Sequence, residues 1–331
     1  MRVQLFCFSI FLIFIVSCRK ALVPENRYPA FGQPQQSVQV KTNNLYFPDF
    51  NPEPPLTAVK QLRPSSAPQQ KLQVVGNILF VPTKNGKIES YDLVKLQRIN
   101  RYKIKAKIRA NVTVAGKNLL VAKEYGAKSL VLLNPAKNKP VWSAKLGSIK
   151  SVPKTAGDRV FIASLYRGIF CLNLSTGEIQ WQHKTASQLH TSPAVSPDRI
   201  YQITERGNLI ALAADDGKIV WQTALLQPGL VDPVLTGDQL ICATKNGKVF
   251  AISTDGKIDW QFRCRNIVRR APAVSRTTVV VADEGGVIYA LNRSTGRLLW
   301  CYDVGAIIGT NVVLGKKYII IGTLEKKLLF V

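Results

Sequence analysis

The tryptophans of this chain stand at positions 142, 181, 221, 260 and 300, successive spacings of 39, 40, 39 and 40 residues. A period near 40 is that of a four-stranded propeller blade, a unit that cannot bury its apolar face alone and therefore stacks on copies of itself. The text around the tryptophans repeats as well: Cys171 to Trp181 (CLNLSTGEIQW), Ala211 to Trp221 (ALAADDGKIVW) and Ala290 to Trp300 (ALNRSTGRLLW) align residue for residue, and Ala251 to Trp260 is one residue shorter. Each unit reads as a short apolar strand, a turn whose glycine (Gly177, Gly217, Gly256 or Gly296) can take positive φ, and a strand opening near the tryptophan. A second hairpin precedes each, as in Arg199–Leu212 and Val279–Ala290, so every unit holds four strands and no helical period competes.

Counting units places blade ends near Asn100, Trp142, Trp181, Trp221, Trp260 and Trp300, with Asn100 in the tryptophan position of a degenerate first blade. After Trp300 the sequence supplies three further strands, around Asn311–Leu314, Lys317–Gly322 and Lys327–Val331. A fourth is available upstream at Pro55–Lys60, and pairing it with these three would close a seven-bladed ring without an unpaired seam. The expected fold is thus an all-β propeller of four-stranded blades over residues 55–331, with seven blades, or eight if residues 31–50 add strands.

Residues 1–17 read as a signal peptide. Arg2 precedes Leu5–Val16, a run that is apolar except for Ser9, too short to span a bilayer at about 20 residues per helix but right for the apolar core of a signal sequence. It ends Ile15-Val16-Ser17-Cys18, similar to a bacterial lipobox, in which the cysteine receives lipid and becomes the first residue of the mature protein. Acylation contributes about 0.8 kcal/mol per buried CH₂, enough for a multiply acylated Cys18 to hold the protein on a membrane. Arg19 rather than Asp follows it, the pattern of release to the outer membrane in enteric-type lipoproteins. Residues 18–54 form a tether in which prolines 24, 29, 34, 48, 52 and 54, with Gln, Asn and Ser between them, favour an extended chain.

With its Thr-Gly or Asp-Gly turn followed by Trp, the repeat resembles the PQQ-type propeller unit, shared by quinoprotein alcohol dehydrogenases and by the BamB family of outer-membrane assembly lipoproteins. The resemblance covers residues 55–331. It implies that Trp142, Trp181, Trp221, Trp260 and Trp300 pack between neighbouring blades, which gives them and the turn glycines a structural role. It also implies one of two functions. A quinoprotein would need Ca²⁺ held by acidic and amide oxygens and usually adjacent half-cystines, and this sequence has no Cys-Cys pair. Its candidate acids Asp215, Asp216, Asp255, Asp283 and Glu284 fall in or beside hairpin turns, ordinary places for Asp. Only two histidines, 183 and 190, are present, and no C-x-x-C, H-E-x-x-H or Ser-His-Asp arrangement is assignable. We therefore expect no metal site, no cofactor and no catalytic residue, and a scaffold docking to part of the β-barrel insertion machinery, monomeric within that complex. Of the remaining cysteines, 171 and 242 read as core-facing, while 264 and 301 follow outer strands of adjacent blades; free thiols are expected, with a 264–301 bridge the alternative.

Charge points to the partner. The chain carries 45 Lys and Arg against 20 Asp and Glu, a formal +25, which favours an acidic partner: a protein face, anionic glycopolymer or lipopolysaccharide. Export separates the protein from nucleic acid, and no aromatic stacking platform accompanies the charge. Aligning the units on Pro153, Pro193, Pro233 and Pro272 puts Arg109, Lys150, His190 and Arg269 at one repeat position, just before the inner strand, where connections between blades meet the mouth of the central funnel. Lys103, Lys105 and Lys107 alternate with apolar residues and so share one side of an extended segment; Arg263, Arg265 and Arg270, with the turn residues Arg167, Arg206, Lys245 and Lys248, add to the same mouth. The expected binding face is this basic funnel.

Overall fold

A computed structural model describes residues 64–66 and 73–330, apart from 76–77, 84, 93–94, 96, 104–110, 117, 135–136, 138, 230, 309–311, 315–318 and 323–327. The expected signal peptide, tether and closing strand Pro55–Lys60 lie outside these residues. What is described is all β, seven antiparallel sheets in chain order. Blade 1 holds β1 (Gln73–Val75), β2 (Ile78–Thr83), β3 (Lys87–Asp92) and β4 (Gln97–Lys103); blade 2 holds β5 (Asn111–Ala115), β6 (Asn118–Ala122), β7 (Leu130–Asn134) and β8 (Lys139–Ala144). Blade 3 holds β9 (Lys154–Ala156), β10 (Arg159–Ser164), β11 (Gly168–Asn173) and β12 (Ile179–His183); blade 4 holds β13 (Ala194–Val195), β14 (Arg199–Ile203), β15 (Asn208–Ala213) and β16 (Ile219–Ala224). Blade 5 holds β17 (Val234–Thr236), β18 (Gln239–Ala243), β19 (Lys248–Ser253) and β20 (Ile258–Arg263); blade 6 holds β21 (Ala273–Val274), β22 (Thr278–Ala282), β23 (Val287–Asn292) and β24 (Leu298–Asp303). The seventh sheet has three described strands, β25 (Val313–Leu314), β26 (Ile319–Gly322) and β27 (Leu328–Phe330), where the sequence places them.

Each blade runs inner strand, two middle strands, outer strand. Because neighbours are antiparallel, the turn between the middle strands and the connection to the next blade share one face, and the other two turns share the opposite face. Inner strands of successive blades lie side by side, β1 by β5, β9 by β13, β13 by β17 and β21 by β25. The middle strands are buried along nearly their whole length, so they read as continuous apolar runs; the outer strands are the most exposed of each blade.

One irregularity recurs in all six four-stranded blades. The ladder between the third and outer strands slips directly after the residue paired with the tryptophan: Cys171 pairs Trp181 but Leu172 pairs Ile179, leaving Gln180 bulged. Val220, Asp259, Leu299, Val141 and Ile99 take the same place in the other blades. Such bulges add twist, and they turn the extra side chain outward, which explains the exposure of Val220, Leu299, Val141 and Ile99.

Packing between blades rests on the tryptophans. Each of four indoles donates its Nε1–H to a carbonyl of the next blade's outer turn: Trp142 to Leu174 at 2.9 Å, Trp181 to Ala214 at 2.9 Å, Trp221 to Thr254 at 2.9 Å and Trp260 to Arg293 at 2.7 Å. The ring lies flat on that turn's glycine, and a Cβ on Gly177, Gly217, Gly256 or Gly296 would come within 2.5 to 2.8 Å of ring atoms. Trp300 departs from this expectation: it is 41 % exposed. Cys171, Cys242, Cys264 and Cys301 are all free, and Cys264 lies just past β20, buried in the core shared by blades 5 and 6.

Candidate partner-binding face

The connection between blades and the middle turn of the blade it enters are tied by backbone hydrogen bonds, which makes them one rim. Glu205 N–H donates to Gln188 O at 3.1 Å, Lys245 N–H to Pro228 O at 2.8 Å and Glu284 N–H to Ile267 O at 2.8 Å. Behind the rim, contacts step from blade to blade at the same repeat position: Val152 N–H donates to Ser192 Oγ at 2.8 Å and Ser192 N–H to Asp232 Oδ1 at 2.7 Å.

On this rim the expected cations meet acids. Arg269 Nε lies 2.8 Å from Glu284 Oε1, His190 Nε2 3.8 Å from Glu205 Oε1 and Lys150 Nζ 4.0 Å from Glu124 Oε1. The funnel-mouth cations are therefore partly neutralised, a feature the sequence reading did not include. Blade 3 explains the odd partner of Lys150: its middle turn carries Leu165 where blade 4 carries Glu205, so the lysine turns to the acid of blade 2. Arg109, Lys105 and Lys107 lie outside the described residues. Arg270 is half-buried, its Nε without a partner.

The uncompensated charge sits elsewhere on the same face. Lys248 pairs directly with Arg263 across β19 and β20, and Lys87 with Lys103 across β3 and β4. Like charges directly opposite in a ladder are destabilising, so neither pair helps the fold. In blade 5 the exposed Lys245 and Arg265 flank the first pair, and among the described residues none of these four cations lies within ion-pair distance of a carboxylate.

Sequence reasoning missed the apolar part of this face. Among the described residues outside the outer strands, the exposed large hydrophobic side chains are Tyr125 (61 %), Tyr166 (66 %), Leu226 (81 %) and Ile307 (50 %), and all four sit on middle turns or connections between blades. Leu226 also holds φ +60°, alone among the described non-glycine residues in lying in the left-handed region. That conformation costs a leucine about 1 kcal/mol or more, and the exposed side chain recovers none of it by packing.

The acids that could have served a quinoprotein are engaged. Asp215 takes Arg159 at 2.6 Å, Asp216 takes Lys218 at 2.7 Å and Asp255 takes Lys257 at 3.4 Å. Asp283 is buried and accepts the N–H groups of Asn266 and Val287 and the hydroxyl of Tyr289. Among the described residues no three His, Cys, Asp or Glu side chains converge as metal ligands would. The buried thiols Cys171 and Cys264 are not poised for chemistry either: burial pushes both up to about 12.

The family model for the outer membrane protein assembly factor BamB matches residues 84–197 and 168–315. The chain belongs to the BamB family. Comparison with curated proteins finds no match. Among solved structures, BamB from Moraxella catarrhalis superposes with a TM-score of 0.66 at 17 % identity, over 77 % of this chain and 79 % of that one. The quinohemoprotein alcohol dehydrogenase from Comamonas testosteroni superposes with a TM-score of 0.67 at 12 % identity, over 78 % of this chain but 64 % of the enzyme. A computationally designed protein, Ika8, reaches 0.52 at 12 % identity, over 78 % of this chain and 94 % of its own. At these identities the superpositions establish the propeller fold that BamB and the dehydrogenase share.

Proposed function

We propose that this chain is a lipid-anchored, periplasm-facing outer-membrane lipoprotein, attached through Cys18, that acts as a non-enzymatic scaffold in β-barrel protein assembly and docks an acidic partner protein on the rim of middle turns and blade connections. Family membership supports assembly as the process. The observation that carries the site is the rim of blade 5, where Lys245, the opposed pair Lys248 and Arg263, and Arg265 stand without carboxylates. An arrangement that costs the fold stability is retained for a partner that supplies the missing negative charge. Tyr125, Tyr166 and Leu226 supply the apolar contact that a protein partner would cover. Arg269, Lys150 and His190 help shape the rim with their acids.

The test is an affinity pull-down of the acylated protein from gently solubilised native envelopes, with wild type beside a Lys245→Glu, Lys248→Glu, Arg263→Glu variant. Recovery of a barrel-assembly subunit that survives high salt with wild type and is lost with the variant is the expected result. A variant that still recovers that subunit removes the rim as the site. The same cations would also hold an anionic glycopolymer such as lipopolysaccharide. That reading is distinguished by binding that leaves with salt and ignores replacement of Leu226, since screening acts on charge alone.

A further inference from the structure

An indole between two blades sits in a cage built from the same four positions each time. Around Trp181 these are Phe161 and Ile169 of its own blade and Ile200 and Leu212 of the next; around Trp221 they are Tyr201, Leu209, Leu240 and Ile252. The pairing registers define the positions. Phe161 pairs with Cys171, the partner of Trp181; Ile169 pairs with His183, two residues beyond Trp181; Ile200 and Leu212 pair with each other. Trp142 and Trp260 pack in cages of the same four positions.

Blades 1 and 2 build the same cage without an indole. By the same registers its members are Phe80, Ile88, Leu119 and Leu133, all buried and gathered in one cluster. Strand β4 keeps the bulge found beside the tryptophan in the other blades, so its backbone is set as theirs is. Only the side chain differs. Asn100 is exposed, and its Oδ1 accepts the N–H of Arg101 at 2.8 Å, which folds the short amide back onto its own strand. The result is a cleft of about 250 Å³, counted to its solvent-open mouth, lined by the cage and by Asn100, Arg101 and Tyr102.

The charge beside this cleft has one sign. Arg101 and Lys103 are exposed on β4, and Lys103 stands opposite Lys87 in the ladder. Among the described residues, none of these three cations lies within ion-pair distance of a carboxylate. Arg101, Tyr102 and Lys103 also carry the strand from the cleft to the rim, which Lys87 borders at the middle turn of blade 1. An occupant must therefore fill an apolar cage of indole-holding type and bring negative charge to its edge. Aromatic side chains seated in desolvated pockets are the usual anchors of protein interfaces.

We propose that the cleft between blades 1 and 2 is a socket for an aromatic side chain of the partner protein, one flanked by carboxylates that Arg101 and Lys103 receive. The socket works because Asn100 withholds the chain's own indole: a site that blades 2 to 5 fill from within is left here to be filled from outside. It deepens the reading of the rim as the face that docks an acidic partner and rests on that reading. The rim of blade 5 supplies charge alone, whereas the socket adds an anchor whose shape selects one residue type.

The experiment titrates the full chain, with isoleucine and leucine methyl groups labelled for NMR, with the capped peptide acetyl-Glu-Trp-Glu-amide. The methyl resonances of Ile88, Leu119 and Leu133 should shift. Acetyl-Glu-Ala-Glu-amide should leave them in place, and acetyl-Gln-Trp-Gln-amide should bind several-fold more weakly at low salt, with the difference closing at high salt. Asn100→Trp fills the socket from within and should raise the melting midpoint by several degrees while abolishing the shifts. Should that variant fail to fold, Asn100→Leu, which fills less of the cleft, must still weaken the tryptophan peptide several-fold. The proposal is overturned if the tryptophan peptide moves none of these methyls, if the alanine peptide moves them equally, or if the Asn100 variants bind as wild type does. It is also overturned if replacing Tyr46, Phe47 and Phe50 by Ser moves the same methyls without peptide, because the leader would then be the occupant. The titration involves neither a membrane nor an assembly subunit, and the Lys245→Glu, Lys248→Glu, Arg263→Glu variant should bind the peptide within about twofold of wild type. A failed titration beside a pull-down that still depends on those three cations thus removes the socket and leaves the rim.

Discussion

The indole of Trp181 lies on Gly217 of the next blade, and its Nε1–H donates to Ala214 O three residues earlier in the same turn. The contact explains why the motif pairs a turn glycine with a tryptophan. The glycine supplies both φ +71° and a surface without a Cβ, while the tryptophan satisfies a turn carbonyl from the neighbouring blade. On the other side of Trp181, Phe161 approaches to a centroid distance of 6.0 Å across Cys171, and Tyr201 meets Trp221 at 5.9 Å across Ala211, so in these two blades the third-strand residue between the rings is small.

Gly217→Ala is expected to destabilise by about 2–4 kcal/mol, the sum of a left-handed alanine and a core overpacked against Trp181. Its control is Gly157→Ala. That residue has φ +59° but nothing within 4 Å of an added Cβ, so only the backbone cost of about 1 kcal/mol applies. Urea midpoints of the two variants should separate accordingly; equal midpoints would mean that the indole can move aside.

Much of this architecture was legible. Trp and Gly spacing gave the blades because the contact between them recurs once per unit, and Asn100 was recognisable as a tryptophan position, confirmed by its pairing with Ser90 just before the recurrent bulge. Compensation of the rim was less so. Arg269 with Glu284 and His190 with Glu205 are both separated by 15 residues, a repeated offset that could have been found, but Lys150 breaks it by reaching back to Glu124. Leu226 left no signal: a left-handed leucine looks like any leucine until the backbone is known.

Acid should loosen the entry into blade 1. Burial alone would push the Glu89 carboxyl up, yet hydrogen bonds from Ser65 and Tyr91 and the charge of Arg98 outweigh it and hold the group below its ordinary 4.5. A carboxyl depressed on folding adds stability that is fully present above that value and lost as pH falls through the lower folded one. Glu89→Gln should therefore cost about 1–3 kcal/mol at neutral pH, with the gap from wild type closing below about pH 4.5. Denaturation midpoints measured from pH 7 to 3 would show the convergence; a gap independent of pH would assign the loss to packing.

Leu226→Gly separates stability from binding. Relief of the left-handed strain, about 1 kcal/mol, is offset in part by the greater unfolded-state entropy of glycine. The melting midpoint should therefore stay level or rise slightly, while retention of the partner in the pull-down falls. If stability drops by several kcal/mol, Leu226 is a packing residue and its exposure has another cause.

Removing an acid should strengthen the rim. Glu284 and Arg269 are both about half exposed, so their ion pair adds at most about 1 kcal/mol to the fold, and Glu284→Ala should leave the melting midpoint nearly unchanged. It would, however, release the Arg269 guanidinium and raise the positive potential of a face already bearing Lys245, Lys248, Arg263 and Arg265. Electrostatic complementarity acts mainly on encounter, so the association rate of an acidic partner should rise several-fold at low salt and the gain should vanish at high salt, as the Debye length contracts from about 10 Å at 0.1 M to about 3 Å at 1 M. Glu205→Ala, which removes the acid 3.8 Å from His190 Nε2, should act in the same direction. Association rates that ignore both substitutions at low salt would place the docking surface on another face of the propeller.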